Sequence, residues 1–99
     1  MVKIFISYRR ADSNEESRII YEALVTRFGE DNIFRDKDRI PKGADFRKVI
    51  EEYIFASDEM LVIIGEKWLD IREDSDPSKR RLDNRDDFVR IEISMGLRH

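Results

Sequence analysis

Cysteine is absent from this 99-residue chain, which removes disulfides, thiolate metal sites and any cysteine nucleophile. The one histidine, His99, stands at the last position, which leaves no credible zinc cluster and no Ser-His pair. Glycine (4) and proline (2) are scarce, and no repeat or low-complexity tract appears. No apolar run approaches the ~20 residues of a membrane helix, and the opening residues do not read as a basic-then-apolar leader. A cytoplasmic location without membrane contact is the expectation. There is also no excess of positive charge. The net charge is −3, so a broad basic field for nucleic acid is not expected.

What is present is charge of both signs, 41% of residues, beside a 40% hydrophobic share. The length suits one small domain with a thin stability margin. Val2, Ile4 and Ile6 alternate with Lys3 and Phe5, a run apolar on both faces that predicts a strand between two helical layers. It ends abruptly at Ser7-Tyr8-Arg9-Arg10. Asp12-Ser13-Asn14 offer N-caps, and Ile19, Ile20, Ala23, Leu24 and Phe28 follow at helical spacing up to Gly29. A short second strand is expected over Asn32–Arg35, then a charged loop through Gly43. A helix is predicted from about Ala44 to Ala56, a third strand over Met60–Ile64, a solvated loop over 71–87 and a last helix from about Asp86 to Leu97. Phe5, Phe34, Phe46 and Phe55 read as core.

Alternating strands and helices predict right-handed crossovers and a parallel sheet. The expected architecture is α/β, a three-layer flavodoxin-like doubly wound sheet in the order 2-1-3, ending after the third strand–helix unit. Ligands of such sheets bind beyond the strands' carboxyl ends at the switch point, here residues 7–12, 36–43 and 65–70. The third strand then has an uncovered edge, which predicts self-association.

Several chemistries fail at that rim. A phosphoacceptor receiver needs acids after strand one and an aspartate ending strand three, whereas Tyr8-Arg9-Arg10 and Gly65-Glu66-Lys67 stand there. No G-x-G-x-x-G or P-loop follows a strand. Arg9 and Arg10 are either a pyrophosphate clamp or a solvated basic turn. Trp68 is either a stacking plate, and so a candidate cofactor-binding residue, or a packing cap on the sheet end. Asp36 and Asp38 lie beside Lys37 and Arg39 and read as loop charge rather than a cation site; no metal is expected.

The last helix holds the anomaly. On a helical wheel Arg90, Ser94, Asp87 and Arg98 share one arc, the expected wet face, while Glu92 lies almost opposite, between Phe88 and Gly96. A carboxylate there must be paired or suffer a raised pKa. It is either an internal ion pair, with Arg9 or Arg10 as candidate partners, or a cleft carboxylate beside the aromatic wall of Phe88.

The stretch Val2–Arg10 resembles box 1 of Toll/interleukin-1 receptor (TIR) domains. Asn32–Gly43, with Arg35-Asp36 and Ile40-Pro41-Lys42-Gly43, resembles box 2 and its BB loop. Ser57-Asp58, Met60–Gly65 and Trp68-Leu69 resemble the region around the third strand, and Phe88–Ile93 resembles the helix after it. The likeness runs from residue 2 to about 98, a single TIR-like domain over 1–99 with the family's C-terminal strands absent. The Tyr-Arg-Arg and Arg-Asp pairs look most like bacterial, NAD-cleaving members.

That resemblance implies NAD⁺ nucleosidase activity, hydrolytic or cyclising, in bacterial immune or stress signalling. It places Glu92 as the catalytic glutamate and Tyr8, Arg9, Arg10, Asp38, Ile40 and Phe88 along the nucleotide cleft; Phe88 stands where many members carry tryptophan. It implies NAD⁺ as substrate without a metal, and homotypic TIR–TIR self-association into an oligomer, with no nucleic acid and no membrane partner. The family's other class implies the alternative, a non-catalytic TIR–TIR adaptor. A related nucleoside- or nucleotide-processing enzyme is a third reading.

Overall fold

The computed structural model describes residues 2–35, 45–73, 77–84 and 87–98, with the side chains of Phe46 and Phe88 outside that description. Its elements are β1 (Ile4–Ser7), α1 (Arg10–Phe28), β2 (Ile33–Phe34), α2 (Phe46–Ala56), β3 (Glu59–Val62) and α3 (Phe88–Arg98). The three strands form one parallel sheet in the order β2-β1-β3. The fold is therefore α/β with the expected strand order.

β1 is central, and all four of its residues are buried. A side chain on a strand points to alternate faces, so β1 serves two cores. Ile4, Ile6 and Tyr8 join Ile33 beneath α1, against Tyr21, Leu24, Val25 and Phe28. Phe5 joins Phe34, Ile50 and Ile54, with Met60 and Met95 packed against them. The Phe5 and Phe34 rings stack at 5.0 Å, and Tyr53 continues the stack at 4.1 Å from Phe34. Helices thus cover both faces of β1, as its two-sided apolar run predicts.

The departures have local causes. α1 begins at Arg10, and Ser13 inside it has non-helical angles (φ −139°, ψ 35°), so a first turn and the main helix meet there in a kink. Gly29 stops α1 at φ 90°, a conformation that a Cβ disfavours. β3 ends at Val62, and Leu61, Val62 and Ile64 are exposed. Its apolar run suits a two-sided strand, but β1 is its sheet neighbour on one side and nothing pairs with the other among the described residues. Phe55, expected in the core, is 48% exposed, because α2 directs Ile50 and Ile54 inward instead. The described residues of the 71–87 stretch hold more order than a solvated loop: Arg72 and Arg80 form an antiparallel bridge, and a short 3-10 turn spans Arg81–Asp83.

Two tight approaches fix the rim. Asp12, in the first turn of α1, accepts hydrogen bonds from the backbone N–H groups of Gly65 (2.8 Å) and Lys67 (2.7 Å). A Cβ at residue 65 would sit 2.5 Å from the Asp12 carboxylate, so this cap requires glycine. Gly96 similarly lets α3 approach β3, since a Cβ there would overlap the Met60 sulfur. Among the described residues no helix is long and apolar enough to cross a membrane.

The core beneath α2 sets a stability expectation. Ile50 is fully buried, and Ile50→Ala should lose about 2–5 kcal/mol. Equilibrium urea unfolding measures this; a loss under about 1 kcal/mol would show that the pocket collapses around the truncation.

Candidate functional site

The site is assembled where β1 runs out and α3 begins. Strand alternation sends Ser7, like Phe5, toward the α2–α3 layer. There the Ser7 hydroxyl donates to Glu92 Oε1 at 2.9 Å, and both residues are fully buried. The wheel's anomalous carboxylate is thus inside the protein, held by the last residue of the central strand. A hydroxyl donor stabilises the charged form of a carboxylate and offsets part of its lost hydration.

One residue further, Arg9 is also buried, at 4% exposure. Its two terminal nitrogens donate to the two oxygens of Asp87, at 2.8 and 2.7 Å. This planar, two-point pairing is the strong form of the arginine–carboxylate interaction. Asp87 precedes α3 and caps it: its side chain accepts from Arg90 N at 3.1 Å, and its carbonyl accepts from Ile91 N at 3.0 Å. One carboxylate therefore both starts α3 and ties that start to the end of β1. Glu92 follows five residues later, about 1.4 turns along the same helix.

Several expected site residues fall elsewhere. Arg9 is committed to Asp87, which gives it a built-in carboxylate partner in place of a solvated turn. Asp87, assigned to the wet arc, is instead only 11% exposed, because the guanidinium covers it. Tyr8 is buried on the opposite face of β1, under α1, with the Arg35 guanidinium 4.6 Å above its ring. Arg35 is held in turn by Ser17 Oγ and the Asn14 carbonyl. Arg10 is exposed at the first turn of α1.

Trp68 lies in the turn after β3, half-buried, with its indole N–H lacking an acceptor among the described residues. It is not part of the Ser7–Glu92 and Arg9–Asp87 cluster. Phe88 opens α3, which puts its backbone one turn before Glu92. Asp38 and Ile40 lie outside the described residues.

Ser7 and Asp87 are the two polar residues that the sequence reading left without a role. Asp87 carried a readable signal, an aspartate directly before an amphipathic run. Ser7 carried none, because its meaning depends on the residue across from it. Among the described residues no group of three His, Cys, Asp or Glu side chains is placed to hold a metal ion.

The Arg9–Asp87 pair makes a sharp expectation. Asp87→Ala strands a buried guanidinium and removes the α3 cap, so it should destabilise by about 3–5 kcal/mol. Replacing both partners with apolar residues, Arg9→Met with Asp87→Leu, should recover much of that loss. Urea unfolding of the two variants tests this; equal losses would mean that the cap, rather than the stranded charge, dominates.

No protein-family model matches the chain, and no curated protein or solved structure matches it.

Proposed function

We propose that this chain is a TIR-type NAD⁺ nucleosidase of flavodoxin-like fold, with Glu92 as its catalytic carboxylate. One observation supports the reading above the others: a glutamate that the box pattern marks lies fully buried at the carboxyl end of the central strand. Doubly wound sheets place their ligands at that end. A buried carboxylate that packing alone would not select is a candidate for function.

The chemistry needs few groups. The nicotinamide of NAD⁺ is a cationic leaving group; when the C1′–N bond breaks, its electron pair returns to the ring and nicotinamide departs neutral. No general acid is required, unlike most glycoside cleavage. The ribose is left with oxocarbenium character, and a desolvated carboxylate stabilises it through charge or by accepting from the ribose hydroxyls. Water then attacks C1′ and loses a proton, giving ADP-ribose; attack by a ring nitrogen of the same molecule's adenine gives the cyclic product. Ser7 orients the Glu92 carboxylate, and the Arg9–Asp87 pair holds the first turn of α3 against β1. Because Glu92 is fully buried, turnover requires that turn to yield to the substrate.

The same burial favours a second reading, a non-catalytic TIR–TIR adaptor in which Glu92 and Ser7 form a structural hydrogen bond. Both readings include self-association, for which β3, paired on one side only among the described residues, offers an edge. A strand edge is self-complementary about a two-fold axis, so a second copy of the chain is its natural partner.

Nicotinamide release from NAD⁺ separates the readings. Glu92→Gln keeps the shape and a polar partner for Ser7, and under the nucleosidase reading it should lower the rate by about 10²–10⁴. Release that is equal in both proteins removes Glu92 from the mechanism. No release from either, with concentration-dependent association in light scattering, favours the adaptor.

A further inference from the structure

Away from Glu92, on the outer side of the two helices, Arg47 of α2 and Arg90, Ser94 and Arg98 of α3 line a groove of about 220 Å³. We propose that this groove is a binding site for a phosphate-class oxyanion, free or carried on a small molecule. The proposal is independent of the nucleosidase reading.

Residues 90, 94 and 98 are four apart, so they form one stripe along two turns of α3. Arg47 adds a third guanidinium from the first turn of α2. Ile91 and Met95 complete the lining, an apolar surface on which arginine stems can lie. Carboxylates outnumber cations in this chain, 22 to 19, yet among the described residues none lines the groove.

Several arginines elsewhere have carboxylate partners. Arg18 is clamped between Glu15 and Glu22, Arg80 is paired with Asp83, and Arg9 with Asp87. Arg98 has no carboxylate within ion-pair distance among the described residues, and neither has Arg90. The acid three residues before Arg90 is Asp87, already committed to Arg9 and the helix cap. Arg90 spends one donor on the Leu82 carbonyl, at 3.2 Å. A guanidinium has five donors in a planar fork, so most of its capacity is open to a tetrahedral oxyanion, with the Ser94 hydroxyl beside it.

The test is a titration of the whole chain with inorganic phosphate, pyrophosphate and adenosine monophosphate, with acetate as control, followed by ¹H–¹⁵N NMR of the guanidinium and backbone groups. Saturable shifts confined to Arg47, Arg90, Ser94 and Arg98 are expected, with acetate weaker. Arg90→Gln and Arg98→Gln should each weaken binding about tenfold, whereas Arg27→Gln on α1 should not. Tighter binding of adenosine monophosphate than of phosphate assigns the site to phosphorylated small molecules; equal binding assigns it to the free oxyanion. The proposal is overturned by shifts that never saturate, by shifts spread equally over Arg18 and Arg80, or by unchanged affinity in both Arg90→Gln and Arg98→Gln. Both substitutions are on exposed positions, and the same spectra report whether each variant is folded.

Discussion

The pairing of Arg9 with Asp87 is the constraint on which the candidate site depends. Burying an arginine is costly unless its donors are matched, and here two of them meet both oxygens of one carboxylate. That carboxylate is also the cap of α3. The arrangement couples the end of the central strand to the start of the last helix, and it sets the rotation of α3 about its axis. Once that rotation is set, Glu92 must face Ser7, and Gly96 must face Met60.

This seam is polar in a layer otherwise made of Phe5, Phe34, Ile50 and Ile54. An apolar core tolerates repacking, whereas a bidentate ion pair and a buried hydroxyl–carboxylate bond are directional and tolerate little. A polar seam of this kind makes geometry specific at some expense of stability, and a small domain has little stability to spare. Its position is the informative part. It lies at the carboxyl end of β1, where a parallel sheet presents its loops, rather than along the sheet's flanks.

The two sides of β1 divide the named residues differently from their order in the chain. Tyr8, Arg9 and Arg10 are consecutive, yet Tyr8 packs under α1 while Arg9 joins α3. Tyr8 is tied instead to Arg35 at the end of β2, through a cation–π contact worth about 0.5–2 kcal/mol. Asp12 is committed to the backbone after β3. The rim is therefore braced on both faces, by Arg35 and Asp12 toward α1 and by Asp87 toward α3. The outer stripe of α3 is left to Arg90, Ser94 and Arg98.

The strand and helix segments, the parallel sheet and its 2-1-3 order follow from local pattern. Apolar period, capping residues and chain breaks are properties of neighbours in sequence, and the right hand of crossovers does the rest. The burial of Glu92 was legible for the same reason, since a helical wheel needs one element alone. The exposure of Phe55 and the kink at Ser13 were not legible, because they depend on how elements pack. Nor were the partners of the buried charges. Which carboxylate Arg9 takes depends on residues 78 positions apart, and Ser7 meets Glu92 across 85. Such pairings have no periodicity to read; only the tertiary fold, by bringing the end of β1 to the start of α3, decides them.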